Sequence, residues 1–227
     1  MIIGALPGTV ALVLLGAAVV AAVLDWIVCG LGARRPHRVL RSITKGLPPT
    51  LLVVGLGYHA LEQPKPSWTM VIATAALCLC LLGDELLLDP TRFRSGTLAF
   101  CGAQLVLALA LLQDARPGGW PAWVALGVVL VGMALVAPGV LRGSTARGEA
   151  SSTGLYLLLV SLMVVAAGIH ALAPGGWFAF AGALAFYLSD ALLGRRRYVR
   201  GRDGDSVLVM ISYHAALFLF GAWLLCA

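Results

Sequence analysis

Long apolar runs alternate with short polar segments along the whole chain. Runs that end at charged residues, prolines or glycines define eight candidate spans. They cover residues 10–31, 47–61, 68–88, 96–112, 120–141, 154–172, 177–193 and 207–225. The apolar stretches reach the roughly 20 residues of a transmembrane helix, and they lack the period of two that barrel strands show. The pattern predicts an all-α, polytopic membrane protein with eight transmembrane helices, forming one integral membrane domain over residues 1–227.

Composition agrees with a lipid environment. The chain is 60% hydrophobic and only 11% charged, which leaves too little polar surface for a water-soluble globule. Its net charge is +6, but the basic residues fall between the spans, where they set orientation, so nucleic acid is not an expected partner. Five cysteines lie in or beside apolar spans without a CxxC pair or a Cys/His cluster, and we expect buried, reduced thiols.

The distribution of Lys and Arg predicts the orientation. Fourteen of these 16 residues lie in the loops that follow spans 1, 3, 5 and 7, whereas only Lys65 and Arg116 lie on the other side. Because basic loops collect on the cytoplasmic side, both termini should lie outside. The arginines at 195–197 are interpreted as a topology anchor, with binding of lipid head groups as the alternative.

Two carboxylates carry the main functional hypothesis. Asp84 and Asp190 each stand among leucines near the cytoplasmic end of an apolar run. Ionisable residues inside a membrane are costly, and they usually mark functional sites. If the two side chains share a dry pocket, one can hold a proton while the other stays ionised, which provides an acid and a base. The alternative is that each aspartate pairs with a loop arginine as a topological anchor.

Further polar residues fall at the same depth, near the cytoplasmic starts of spans 2, 4, 6 and 8. They are Lys45, Gln104, Tyr156, Tyr213 and His214. Lys45 precedes Pro48 and Pro49, which suit the first turn of a helix, and it either extends to the head groups or holds a phosphate or carboxylate. Gln104 serves a buried polar network or packing alone. His214 suggests proton transfer or a metal ligand; with no second histidine at this depth, neither a metal nor a cofactor is expected.

Other charged residues are given simpler roles. Glu85 lies about 100° around the helix from Asp84, so the two cannot face one cavity, and we expect Glu85 to pair with a basic loop. Asp25 either supports the site or sits at the interface. His59 and His170 lie near outer span ends and are interpreted as interfacial.

Two parts of the chain resemble each other. Span 3 ends in GDELLL and leads through arginines to Gln104, while span 7 ends in SDALL and leads through arginines to Tyr213 and His214. Both parts have the same orientation, which predicts a parallel four-plus-four repeat.

These residues together resemble the YhhN family of bacterial membrane proteins, whose animal relatives are lysoplasmalogenases. The resemblance is carried by Lys45 before its prolines, Gly83-Asp84, Phe100 to Gln104, the Tyr156 to Ala166 stretch with Met163, Ser189-Asp190 and Ser212-Tyr213. Family members often have histidine at the position of Gln104, and a tyrosine and a glutamine at the positions of His214 and Leu217.

The resemblance implies a bacterial inner-membrane hydrolase that cleaves the vinyl-ether bond of a lysophospholipid, releasing a fatty aldehyde and a glycerophospho-base. Asp84 and Asp190 would then be the catalytic acid and base in an order left open, with Lys45 and Tyr213 orienting phosphate or glycerol oxygens. Paired carboxylates also serve proton-coupled carriers, so a small transporter is the alternative, followed by a non-catalytic lipid-binding module. The oligomeric state is left open.

Overall fold

The computed structural model describes residues 8–31, 38–113, 115, 119–201 and 204–226. Within these ranges the chain forms nine α-helices and no strand. They are α1 (Thr9–Leu31), α2 (Arg38–Glu62), α3 (Trp68–Leu87), α4 (Phe93–Gln113), α5 (Trp120–Leu135), α6 (Ala137–Thr145), α7 (Ala150–His170), α8 (Gly176–Arg195) and α9 (Asp205–Cys226). A short 3₁₀ turn, Pro90–Arg92, precedes α4, and a π turn, Arg196–Arg200, follows α8.

The helices have the length and composition of membrane spans. Six of those described are long and apolar enough to cross a bilayer, and the bent pair α5 and α6 together would make a seventh. The chain is therefore an all-helical integral membrane protein. The remaining candidate is α2, which is long enough but carries Arg41, Lys45, Glu62 and two prolines. Six to seven spans are thus supported directly, and the eighth remains a prediction.

The start of α2 differs from the sequence prediction. The predicted span begins at residue 47 with the prolines in its first turn, but the helix begins at Arg38 and both Pro48 and Pro49 lie inside it. Hydropathy marks where an apolar run begins, and it misses a first part of a helix that contains several polar residues. The longer helix places Lys45 in its interior, where the side chain is buried.

The predicted span at residues 120–141 is broken. The chain bends by 47° between α5 and α6, and Pro138 lies in the first turn of α6. Proline lacks an N–H donor and its ring clashes with the preceding turn, which ends or kinks a helix. The end of α5 and the start of α6 line an apolar groove together with residues of α4, α7 and α8.

Glycines bring α3 and α4 close together at the depth of Asp84. A Cβ atom at Gly83 would lie 2.6 Å from the Phe100 ring, and one at Gly96 would lie 2.8 Å from Leu87. Small residues at such contacts let two membrane helices approach closely. In a second helix pair, the Ser189 hydroxyl donates to the Val209 carbonyl at 3.1 Å and joins α8 to α9. These two helix pairs hold the two aspartates.

Candidate active site

A cavity of about 410 Å³ lies between the ends of α2, α3, α8 and α9 that carry the basic residues. Its wall includes five of the seven predicted site residues, namely Lys45, Asp84, Tyr156, Asp190 and Tyr213. The two aspartates therefore belong to one pocket, as the sequence predicts.

Both carboxylate oxygens of Asp84 have a polar partner. The side chain is buried, and its Oδ1 atom is 2.8 Å from the Lys45 ammonium nitrogen. The Tyr213 hydroxyl donates to the other carboxylate oxygen, Oδ2, at 2.5 Å. A carboxylate removed from water needs such a counter-ion and hydrogen bonds. Lys45 thus pairs with Asp84 inside the bundle and does not extend to the head groups.

Asp190 has different neighbours. The Gln104 amide donates to Asp190 Oδ2 at 3.2 Å, and the Tyr156 hydroxyl is close enough to interact with the same carboxyl group. Among the described residues, no lysine or arginine forms an ion pair with Asp190. Its side chain is partly accessible from the cavity, whereas Asp84 is 2% exposed. The two carboxyl groups therefore share a pocket but not an electrostatic environment.

The hydrogen bonds cross between the two halves of the chain. Asp84 on α3 accepts from Tyr213 on α9, and Asp190 on α8 accepts from Gln104 on α4. Each carboxyl group is therefore held by the second helix of the other helix pair. This arrangement fixes both acids relative to each other through side chains that are themselves buried.

Gln104 and His214 lie behind the cavity and do not line it. Both are fully buried. His214 Nδ1 accepts a hydrogen bond from Trp26 Nε1 at 2.9 Å, so its proton must reside on Nε2 in the neutral ring. That Nε2 atom and Gln104 Oε1 have no hydrogen-bond partner within the described part of the chain. Gln104 thus contacts Asp190 directly, whereas His214 contacts Tyr213 only through ring packing, with ring centres 5.7 Å apart.

Asp25 and Glu85 find partners on α2. The buried Asp25 carboxylate is 2.5 Å from Arg41 Nη1, and the Ser42 hydroxyl donates to Glu85 Oε2 at 2.6 Å. Asp25 thus supports the wall of the site, since Arg41 lines the cavity. The sequence suggested a basic loop as the partner of Glu85, and the hydrogen bond from Ser42 joins α2 to α3 instead.

From the sequence, the loop arginines are topology signals, and only those at 195–197 have binding of lipid head groups as an alternative. In the structure, four arginines form the polar mouth of the cavity. They are Arg41, Arg147, Arg196 and Arg197. Arg41 is paired with Asp25, and Arg197 with Glu149 at 2.8 Å. In the described ranges Arg147 and Arg196 form no ion pair and are exposed. Two guanidinium groups therefore remain available to an anionic group at the entrance.

The mouth is stiffened by a cluster around Glu149. Arg197 lies over the Phe93 ring at 3.2 Å from its centre, and the Tyr198 hydroxyl donates to Glu149 Oε2 at 2.7 Å. Partial burial disfavours the charged form of Glu149, but hydrogen bonds from Arg197 and Tyr198 outweigh that effect and hold the pKa of Glu149 below its ordinary value. The loops before α4, before α7 and after α8 therefore meet at one end of the bundle.

A bundle of helices that are long and apolar enough to span a membrane, with a buried and a partly accessible carboxyl group below a basic mouth, defines the class: an integral membrane protein with an acidic pocket at its basic end. No group of three His, Cys, Asp or Glu side chains in the described residues could hold a metal ion.

The chain belongs to the YhhN family, whose model matches residues 40–223, and the resemblance in the sequence is thereby confirmed. Two similar relatives, from Mycobacterium bovis and Mycobacterium tuberculosis, are both named lysoplasmalogenase. Each is 31% identical over 221 residues, covering 87% of this chain and 82% of the relative. No solved structure matches the chain.

Proposed function

We propose that this protein is a lysoplasmalogenase-like hydrolase, which cleaves the vinyl-ether bond of a lysophospholipid to a fatty aldehyde and a glycerophospho-base. The names of its relatives support an enzyme acting on a lipid ether bond. The observation that carries the proposal is that Asp84 and Asp190 line one cavity with different partners. A neutral carboxylic acid and a carboxylate are the pair that glycosidases use for a related oxocarbenium ion.

The two acids have separate roles in this proposal. Asp84 is the ionised member, because the Lys45 ammonium group stabilises its charge. Asp190 is the protonated member, because its neighbours among the described residues are an amide and a phenol rather than a cation, and because it lies where a substrate in the cavity can touch it. Tyr213 orients Asp84, and Tyr156 orients Asp190.

The reaction begins when Asp190 donates its proton to the alkene carbon that bears the aliphatic chain, which is the carbon β to the ether oxygen. The resulting oxocarbenium ion is stabilised by the Asp84 carboxylate, which then takes a proton from the water that adds to the cation. The hemiacetal formed in this way collapses. Asp84 returns its proton to the departing glycerol oxygen, and Asp190 recovers a proton from the hemiacetal hydroxyl group, so the aldehyde leaves and both acids are restored.

The phosphate of the substrate binds at the mouth of the cavity. Arg147 and Arg196 are available to bind it, because they form no ion pair with any residue that the structure describes, whereas Lys45 is already paired with Asp84. Arginine suits this role because its guanidinium group donates two parallel hydrogen bonds to phosphate oxygens. This assigns to the arginines the contact that the sequence suggested for Lys45.

The membrane arrangement follows from the same features. α2 and the bent pair α5 and α6 complete eight spans, and the basic end of the bundle faces the cytoplasm in the inner membrane of a bacterial cell, with both termini outside. The crossed hydrogen bonds of Asp84 and Asp190 support a parallel repeat of two four-span halves. The chain acts as one integral membrane domain.

The test uses purified protein in detergent with matched alkenyl and ester lysophospholipids. We expect aldehyde from the alkenyl lipid and no cleavage of the ester. Asp84→Asn and Asp190→Asn should each lower kcat at least about 100-fold. Asp89→Asn is the control, since Asp89 caps the turn Pro90–Arg92 outside the cavity and should retain activity. Unchanged cleavage by both cavity variants, or ion flux in liposomes without turnover, would contradict the proposal.

A further inference from the structure

A second, apolar concavity adjoins the cavity. It is a groove between α4, α5, α6, α7 and α8, and it leaves only about 60 Å³ of open space, against about 410 Å³ in the cavity. Its wall is almost entirely hydrocarbon, including Met133, Val136, Val140 and Val160. The groove lies at the bend between α5 and α6, which are not collinear.

The groove and the cavity meet at the proposed acid. Asp190 and Tyr156 line both spaces, and so do Phe93 and Phe100. A ligand that occupies both spaces would have its polar part among the arginines and its apolar part against α5. The boundary between these two parts would then lie beside Asp190. In the substrate of the proposed reaction, the boundary between polar and apolar parts is the vinyl-ether bond.

We propose that this groove binds the single unbranched hydrocarbon chain of the substrate, with the ether end at Asp190 and the tail toward Gly132 and Val160. The inference rests on the proposed function and adds a chain-binding subsite to it. Val160 lies four residues beyond Tyr156 on α7, which is about 6 Å further from the basic end of the bundle. The tail therefore points toward the interior of the membrane.

Tyr187 and Gly132 form one wall of the groove. The Tyr187 hydroxyl donates to the Val129 carbonyl at 3.4 Å and ties the ring to α5. The ring lies against Gly132, where a Cβ atom would overlap it. An alanine at position 132 would therefore add a methyl group at a position that lines the groove and displace the Tyr187 ring, which also lines it, so we expect a narrower groove. Shortening Met133, which also lines the groove, would enlarge it.

The test measures selectivity for chain length with alkenyl lysophospholipids that carry octenyl, dodecenyl or hexadecenyl chains. Met133→Ala should raise the kcat/KM ratio of long to short chains, and Gly132→Ala should lower it. One or two methylene groups in an apolar pocket change such a ratio by about tenfold. Leu130→Ala is the matched control on the same helix, because Leu130 is 60% exposed and does not line the groove.

A binding measurement separates this inference from the proposed reaction. Saturated alkyl-ether lysophospholipids of the same lengths cannot be cleaved by alkene protonation, and their affinities report the groove alone. Affinity that follows chain length and shifts in opposite directions in Met133→Ala and Gly132→Ala supports the subsite even if no aldehyde forms. If affinity depends on chain length in the same way in the wild type, both groove variants and Leu130→Ala, the chain-binding subsite is ruled out, whether or not the protein cleaves alkenyl lipids.

Discussion

The Asp84 carboxylate is enclosed by groups that favour its charge. The Lys45 ammonium nitrogen lies 2.8 Å from one oxygen, the Tyr213 hydroxyl lies 2.5 Å from the other, and the side chain is 2% exposed. Removing one member of a buried ion pair leaves the other uncompensated, which is far more costly than losing both. The pairing of Lys45 with Asp84 is therefore open to a stability test that does not require substrate.

Lys45→Met should destabilise the protein by about 3 kcal/mol, because it leaves the Asp84 charge without a partner. Adding Asp84→Asn should recover part of this loss, since the amide carries no charge. Both variants should be inactive. Thermal unfolding in detergent provides the comparison, and equal unfolding temperatures for the single and double variants would show that Asp84 does not depend on Lys45 for its charge.

The sequence anticipated the meeting of Asp84 and Asp190 because each ends an apolar run at the same depth. It did not anticipate their different partners. The apolar run places Lys45 at a span start, because the polar residues around it hide the first part of α2 from hydropathy. Topology alone accounts for Arg147, and head-group binding is only the alternative for the run that contains Arg196. The rotation of each helix about its axis decides which side chains meet in the cavity, and a single sequence contains little information about that rotation.

At the scale of helices, close approach of α3 and α4 positions the first acid. Gly83 precedes Asp84 directly and faces the Phe100 ring, which itself lines both the cavity and the groove. In this Gly-Asp pair, Gly83 allows the two helices to pack closely and Asp84 supplies the carboxyl group of the cavity. The break between α5 and α6 has a sequence signal, because Pro138 lies in the first turn of α6. The apolar run continues past this proline, however, so hydropathy alone predicts one span.

Gly83→Ala should destabilise the protein by about 1–3 kcal/mol and lower activity, because the new methyl group must displace Phe100 or separate α3 from α4. Gly127→Ala on α5 is the matched control. A Cβ there meets nothing within 4 Å, so the substitution should be neutral or stabilise the helix by up to about 1 kcal/mol. If both variants unfold at the same temperature as the wild type, the glycine contact does not position Asp84.

On the scale of the whole molecule, charge is concentrated at one end. Arg41 lies in the first part of α2, whereas Arg147, Arg196 and Arg197 come from two connections between helices, yet all four line one cavity. The loop charges that indicate topology are thus also the groups that attract an anionic head group. The proposed orientation places this mouth at the cytoplasmic lipid surface, where the substrate phosphate would lie.

Single cysteines in an otherwise cysteine-free chain test that orientation in intact cells. Lys65→Cys, in the connection between α2 and α3, should react with a membrane-impermeant maleimide. Ala146→Cys, beside Arg147, should react only after the cells are opened. Both positions are exposed at the surface of the protein, so their intrinsic accessibility is matched. The reverse labelling pattern would place the arginine mouth outside the cell.

The most direct measurement of the central claim is the isotope content of the aldehyde formed in heavy water. If Asp190 donates a solvent-exchangeable proton to the alkene carbon, the aldehyde, trapped at once by reduction, will carry one deuterium next to the former carbonyl carbon. Asp190→Asn will form almost none of this product. Aldehyde without that deuterium, or labelled aldehyde formed equally well by Asp190→Asn, would contradict acid catalysis by Asp190.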